Sequence, residues 1–279
     1  LAKIIFGTAG TPHSADGDTT VDGIKRIKEL GLGCLEIEFV MGVNIGELAA
    51  RQIAAVARNR DIKLSVHAPY YINLNSPDET KVKASQQRIY QSARAAALCG
   101  AGDVVFHAGF YMGLPAEKVY ENIKARLAEV LSKLKEEDIP VTLRPEVMGK
   151  NSQFGTLDEA LQLSADLEGV LPCIDFAHWH ARSGKWNSYE EFTGVLDRVE
   201  KRLGKSALER LHLHVAGIDY GKAGEKSHLD LRDSDFKFEE LMRALADCKA
   251  GGLLICESPN LEEDALMLQR LYVNTRAKG

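Results

Sequence analysis

Several features are missing from this 279-residue chain, and each absence narrows what the chain can be. No apolar run reaches the ~18–20 residues that a membrane-spanning helix needs. No basic, apolar leader with a small-residue cleavage site is visible, so a cytoplasmic protein without a signal peptide is expected. No C-x-x-C pair occurs among the five cysteines, Cys34, Cys99, Cys173, Cys248 and Cys256. Odd in number and scattered through apolar segments, they read as reduced core thiols. Neither G-x-G-x-x-G nor G-x-x-x-x-G-K-[ST] is present, which removes the usual glycine-rich phosphate loops. No linker or low-complexity stretch divides the chain, so one domain over residues 1–279 is expected. The net charge of −5 argues against a general nucleic-acid coat protein but leaves room for a local basic groove.

What is present is an alternation. Short apolar strand candidates occupy residues 3–9, 34–40, 63–69, 103–109, 141–147, 171–177, 210–217 and 251–258. Amphipathic segments lie between and after them, at 20–30, 44–59, 80–99, 116–137, 156–167, 188–203, 236–248 and 261–274. In 116–137 the apolar residues Val119, Ile123, Leu127, Val130, Leu131 and Leu134 recur at helical spacing. Gly31, Gly100, Gly204 and Gly251 stand as helix-stop signals. Alternating βα units imply a parallel sheet. Eight of them, in a chain near the ~250 residues typical of the fold, predict a single-domain α/β (β/α)8 TIM barrel over a doubly wound open sheet.

Side chains alternate faces along a strand. Leu64 and Val66 share one face while Ser65 and His67 share the other, and Leu143 opposes Arg144 and Glu146. Leu211 and Leu213 oppose His212 and His214, and Leu35 and Ile37 oppose Glu36 and Glu38. The apolar set should face the helices. The other set turns polar toward the strand ends, which brings His67, His107, Glu146, Asp175, His212 and Glu257 to the C-terminal rim, where barrel enzymes keep their active sites. Glu36 and Glu38 are also open to a plainer reading, as partners of Arg144 in a buried ionic cluster.

A ring of imidazoles and carboxylates without a cation would leave several buried carboxylates unpaired, at several kcal/mol each. A divalent metal offsets that cost. Histidine and carboxylate donors without an indicated thiolate suit Zn²⁺ first, then Mn²⁺ or Fe²⁺. One tetrahedral zinc ion needs about three protein ligands. Six candidates here, with His178 and His228 in addition, fit two or three ions, and Glu146 is placed to bridge a pair.

These motifs together resemble the endonuclease IV family of zinc-dependent apurinic/apyrimidinic endonucleases, and they follow the family's order from His67 to Glu257. "VHAPYYINL" resembles the family's His-x-x-Tyr strand end, "VFHAG" supplies His107, and "LRPEVMGKNSQFG" resembles the segment of the bridging glutamate, here Glu146. "CIDFAHWHA" resembles the Asp-x-x-His signature at Asp175 and His178, "LHLHVAG" a His-Leu segment whose first histidine is the ligand, here His212, and "LICES" the last glutamate, Glu257. The resemblance implies a first ion on His67, His107 and Glu146, and a second on Glu146, Asp175, His212 and Glu257. A third would sit on His178 with a later loop. There the family has Asp-x-His, whereas "GEKSH" places Lys226 two residues before His228, leaving Glu225 as the replacement ligand. The family also inserts loop side chains into DNA. Tyr70 and Tyr71 match one such loop, while the loop after the second strand offers Met41 in place of an arginine. Lys150, Arg182, Lys185, Lys222 and Lys226 are the phosphate candidates near the rim.

The implied activity is metal-dependent cleavage of DNA 5′ to abasic sites, with Glu146 and Glu257 as catalytic residues, by a monomer. A metal-dependent sugar isomerase or epimerase of the same barrel superfamily is the alternative, acting on a small sugar. Glu146 and Glu257 would then be its paired carboxylates. A metal-binding protein without turnover is the third reading.

Overall fold

The computed structural model describes residues 3–277; the outermost residues of the expected domain, at positions 1–2 and 278–279, lie outside the described residues. Eight parallel strands form the centre: β1 (Ile4–Ala9), β2 (Cys34–Glu38), β3 (Lys63–His67), β4 (Asp103–Phe106), β5 (Thr142–Pro145), β6 (Cys173–Asp175), β7 (Leu211–Val215) and β8 (Gly252–Cys256). Apart from β5 and β6, each pairs with its sequence neighbours, and β8 returns to β1. The last gap, between β5 and β6, is bridged at Leu143–Val170 and Glu146–Cys173. There the Val147 N–H donates to the Cys173 carbonyl (3.0 Å) and the Leu171 N–H to the Leu143 carbonyl (3.1 Å). The sheet is thereby closed into the (β/α)8 barrel.

All eight expected helical segments are present: α1 (Thr20–Glu29), α2 (Glu47–Arg60), α3 (Glu79–Cys99), α4 (Ala116–Glu136), α5 (Leu157–Asp166), α7 (Tyr189–Leu203), α9 (Phe238–Asp247) and α10 (Glu262–Arg276). Local chemistry sets their starts. Thr156 and Glu159 form a reciprocal capping box on α5, and Asp78 and Ser188 cap α3 and α7; such caps are worth ~1 kcal/mol each. In α4 the residues Val119, Ile123, Leu127, Val130 and Leu134 are buried as their spacing predicts. Gly31, Gly100 and Gly204 follow or cap helix ends with positive φ. Gly251 does not stop α9. That helix ends three residues earlier, at Cys248, and Lys249 takes the left-handed conformation (φ 53°).

The core lies between sheet and helices. Leu35, Ile37, Leu64, Val66, Leu143, Ile174, Leu213 and Leu254 are buried there. Inside the barrel Glu36, Ser65, His67, Arg144, Glu146, Asp175, His212 and His214 are buried as well, so the parity of the strands holds. Arg144 does not pair with Glu36 or Glu38. Its Nε donates to Asp103 Oδ1 at 2.7 Å, and its other nitrogens donate to the Pro172 and Arg210 carbonyls.

Four elements were not visible as periodicity. A short helix, α6 (Phe176–Ser183), starts directly after β6, and a single turn, α8 (Lys205–Leu208), precedes β7. An antiparallel ribbon, Gly217–Gly221 with Gly224–Leu229, rises after β7. A second, two-residue ribbon joins Gly109–Phe110 to Gln153–Phe154. Among the described residues no helix is long and apolar enough to cross a membrane.

Candidate metal centre

Glu146 is the hub of the rim. It follows the last residue of β5 and is almost fully buried. Its Oε2 lies 2.9 Å from His107 Nε2 and 3.2 Å from His67 Nε2; its Oε1 lies 3.0 Å from His178 Nδ1 and 3.8 Å from His214 Nδ1. Four imidazoles thus surround one carboxylate. His67 is oriented from behind, since its Nδ1 is 2.8 Å from the Ala68 carbonyl. That bond keeps a proton on Nδ1 and turns Nε2 toward Glu146, the orientation in which metal-ligating histidines are held.

Asp175 closes the other side. It caps α6, accepting the His178 backbone N–H through Oδ1 at 2.7 Å. Its Oδ2 stands 3.2 Å from His178 Nδ1. Because α6 begins at once, the chain turns, and a histidine three residues past the strand comes back over the rim. His228 Nδ1 lies 3.2 Å from the Glu257 carbonyl, and its Nε2 is 3.2 Å from His178 Nε2. Glu257 Oε1 is 3.3 Å from His214 Nδ1.

Glu225 reaches the site through an irregularity in the ribbon. Ile218 pairs with His228 and Asp219 with Ser227, but Tyr220 pairs with Glu225. Lys226 is therefore an extra residue without a partner, a β-bulge. Residues three apart on a regular strand face opposite sides. The bulge restores Glu225 and His228 to one face, and Glu225 Oε2 lies 3.4 Å from His178 Nε2. Lys226 turns outward to Asp219 (3.2 Å). The approach is tight. Gly149 and Gly224 touch where the β5 loop meets the ribbon: a Cβ on Gly149 would stand 2.7 Å from the Glu225 Cβ, and one on Gly224 2.1 Å from the Gly149 carbonyl oxygen.

One residue expected at the rim lies below it. His212 sits deeper in the barrel, beside Cys173 in the register, with Nε2 2.9 Å from Glu36 Oε2. His214 is the partner of Asp175 and occupies the rim level in its place. Both histidines face inward because the strand period is two; the resemblance favoured the first, and strand register sets the second level with Asp175. His180 points away from the centre, to the Lys185 carbonyl and Asp235. Tyr70 stands at the cavity mouth, half-exposed, its ring centroid 5.5 Å from that of His67 and 5.6 Å from that of His107. Tyr71 lies outside it, its hydroxyl 3.5 Å from the Met41 sulfur.

Charge follows from this packing. Burial works against ionising Glu146, yet the charges and hydrogen bonds of His107, His178 and His214 outweigh it and hold the carboxyl far below its ordinary range. Burial likewise opposes charge on Glu257, but His214 and His228 bring it down to about 2. Burial also works against protonating His67 and His178. Glu146 with Glu38 for the first, and Asp175 with Glu146 for the second, raise each to about 10. Burial wins at Asp175, pushed up to about 6, and at Glu38, pushed up to about 8. Without a cation the cluster therefore holds itself together with extra protons.

The donor set fits divalent ions. His67, His107 and Glu146 can place ligand atoms within 4.8 Å of one another; so can Glu146, Asp175, His214 and Glu257, and so can Asp175, His178 and His228. Asp175 Oδ2, His178 Nδ1 and His214 Nδ1 are buried without a well-directed hydrogen bond, as atoms aimed at a shared cation would be. His67, His107, Glu146, His178, Glu225, His228 and Glu257 line a cavity of about 510 Å³ together with Tyr70, Phe110, Lys150 and Gln153.

The model of the xylose isomerase-like TIM barrel family matches residues 24–271. The uncharacterized protein MJ0133 of Methanocaldococcus jannaschii is 44% identical over 270 residues, covering 96% of this chain and 97% of that protein. A probable endonuclease 4 of Mycoplasma genitalium is 26% identical over 202 residues, 71% of this chain and 67% of its own. Among solved structures, endonuclease IV from Thermus thermophilus superposes with a TM-score of 0.76 at 21% identity, covering 98% of this chain and all of that one. A D-tagatose 3-epimerase-like protein superposes at 0.69 and 18%, over 93% and 96% of the two chains; at such identities the likeness speaks for the fold. With a barrel closed in this order and a family match over most of its length, the chain belongs to the xylose isomerase-like TIM barrel family.

Proposed function

We propose that this protein is a divalent-metal-dependent phosphodiesterase that incises DNA 5′ to abasic sites. The observation that carries the reading is a chain of three overlapping donor clusters, two sharing Glu146 and two sharing Asp175. A sugar isomerase of this superfamily needs one ion, whereas five rim histidines supply ligands for three.

In this reading His67, His107 and Glu146 hold one ion, and Glu146, Asp175, His214 and Glu257 hold another. His178, His228 and Glu225 hold the third. Zn²⁺ suits the imidazole-rich set, with Mn²⁺ or Fe²⁺ next. Bound ions of this kind lower the pKa of a coordinated water and neutralise charge on phosphoryl oxygens. The protein's own groups do the rest. Glu257, kept ionised by His214 and His228, orients the attacking water and accepts its hydrogen bond. Glu146 fixes the spacing between the first two donor sets. Tyr70, at the mouth, packs against the sugar of a flipped abasic nucleotide, whose extrusion costs least where no base is stacked. Tyr71 contacts the adjacent strand. Lys150, which lines the cavity, pairs with a phosphate. The partner is DNA bearing abasic sites, the enzyme acts as a cytoplasmic monomer, and the domain spans the whole chain.

Incision of a duplex carrying one tetrahydrofuran abasic analogue, with and without chelator, tests this. Absence of metal-dependent nicking across several metals and pH values sinks it.

One observation favours the second reading, a sugar epimerase: the cluster of Glu146, Asp175, His214 and Glu257 offers one ion and two glutamates on a single site. The loop after β2 also exposes Met41 where the nuclease resemblance calls for arginine. Isomerisation of a ketose with one bound manganese per chain, and no nicking, supports that assignment.

A further inference from the structure

We propose that Glu36 is a positioning residue for the metal centre, holding the Nε2 proton of His214 so that Nδ1 faces Glu146, Asp175 and Glu257 as a ligand atom. The inference rests on the metal-centre reading above and is independent of whether the substrate is DNA or a sugar.

His214 is fully buried, with its two nitrogens turned in opposite directions. Nδ1 lies 3.3 Å from Glu257 Oε1 and 3.8 Å from Glu146 Oε1. Nε2 lies 2.8 Å from Glu36 Oε1, and among the described residues no other carboxylate is within 4 Å of it. A neutral imidazole carries one N–H and one lone pair. A cation among the rim carboxylates takes the lone pair at Nδ1, so the proton belongs on Nε2. The two atoms stand at contact distance, but neither makes a well-directed hydrogen bond as the side chains now lie, while the other oxygen of Glu36 is taken. Its Oε2 accepts from Ser65 Oγ at 2.6 Å and from His212 Nε2 at 2.9 Å. Two donors therefore hold one oxygen of the carboxylate, and His214 Nε2 stands 2.8 Å from the other.

That convergence explains the acid. A carboxylate only accepts, and its two oxygens serve both histidines at once. A glutamine of the same shape has one accepting oxygen; its amide would face a histidine N–H and force one ring to move its proton. The column continues below. His212 Nδ1 stands 3.8 Å from Asp103 Oδ2, and Asp103 Oδ1 accepts from Arg144 Nε. Arg144 is tied to two backbone carbonyls. Glu36 is thus clamped from beneath by groups outside the rim cluster, which gives a role to the first histidine of "LHLH", His212.

The test uses full-length protein labelled with ¹⁵N-histidine and loaded with zinc. Long-range ¹H–¹⁵N spectra report the tautomer of each ring, and competition with a chelator reports zinc affinity. In the wild type His214 is expected to be bound through Nδ1 with its proton on Nε2; coordination through Nε2 overturns the proposal without any variant. Glu36→Gln is expected to bind zinc 10–100-fold more weakly, the usual loss when such an orienting group is removed, with a changed tautomer at His212 or His214. Ser65→Ala removes a donor and leaves both oxygens, so its affinity stays within about threefold. A folded Glu36→Gln protein with zinc affinity within twofold of wild type and both tautomers unchanged overturns the inference alone. A wild type that takes up no zinc overturns it together with the metal-centre reading.

Discussion

The bulge at Lys226 makes a prediction that runs against simple motif repair. The resemblance places an aspartate two residues before the last histidine, where this chain has Lys226. Restoring that pattern by Lys226→Asp would seem to improve the third ion site. The ribbon says otherwise, because Lys226 is the unpaired residue of the bulge and faces solvent. Its ion pair with Asp219 joins two side chains that are 59% and 47% exposed, and such pairs are worth ~0.2–1 kcal/mol. Lys226→Asp should therefore cost at most about that much stability and leave metal binding within twofold. Glu225→Ala removes the carboxylate 3.4 Å from His178 Nε2 and should weaken the third ion at least tenfold, ~1.4 kcal/mol. For an aspartate at 226 to compensate, the bulge must unwind. Glu225 N–H would leave the Gly149 carbonyl and Asn151 N–H the Ala223 carbonyl. Two hydrogen bonds at ~0.5–1.5 kcal/mol each, with the tight Gly149–Gly224 seam opened, match or exceed what the new ligand returns. The double variant Glu225→Ala with Lys226→Asp should bind the third ion within threefold of Glu225→Ala alone. Zinc stoichiometry by elemental analysis and affinity by chelator competition decide it. Recovery of wild-type affinity in the double variant, or tighter binding by Lys226→Asp alone, refutes the bulge argument.

Three further outcomes follow from the same geometry. Gly149→Ala should lower stability by ~1–3 kcal/mol through overpacking and release the third ion first, since the added Cβ meets the Glu225 Cβ at 2.7 Å and His178 Cδ2 at 3.1 Å; thermal melts with zinc titration check this, and an unchanged melt with full zinc occupancy counts against the seam. His214→Asn should abolish high-affinity binding at the second ion site, whereas His212→Asn should weaken it only about tenfold by loosening Glu36; equal losses would mean that the two histidines share one role. Metal uptake should release protons. His67 and His178 sit near 10 when no ion is bound, above the ordinary 6.5, so both are protonated at pH 7. Their pairing stabilises the metal-free protein fully below pH ~6.5, and that contribution fades as pH climbs through about 10. Zinc affinity should therefore rise with pH toward 10. Calorimetry in buffers of different ionisation enthalpy should give a proton count above one; a count of zero is the contrary result.

The barrel was legible because two periods repeat along the chain. Apolar alternation in strands and three-four spacing in helices survive any exchange of one residue, and eight repeats leave little choice of topology. The pieces that escaped are those whose conformation is fixed by tertiary contact. Nothing in "FAHWHA" marks a helix beyond the acid before it, yet Asp175 caps α6 by accepting the His178 N–H. The same acid faces the rim clusters, so one residue both ends the strand and begins the turn that brings His178 back. The ribbon 217–229 has little apolar alternation to announce it. It is held instead by Ile218 against Ala177 and Ala181 and by its seam with the β5 loop.

For the rim residues the limit was register rather than chemistry. Parity identifies which side chains face inward, and it found His67, Glu146, Asp175 and Glu257. It is blind to depth, since residues two apart share a face while sitting ~6.6 Å apart along the strand. "LHLH" offers two inward histidines, and only the pairing of Asp175 with His214 and of Cys173 with His212 tells which belongs to the rim. The bulge is the same lesson in reverse. Counting by twos from His228 lands on Lys226, a cation that no metal site accepts; one unpaired residue shifts the count and lands on Glu225. In both places the sequence holds candidate residue types within three positions, and the backbone ladder decides which of them faces the rim cluster.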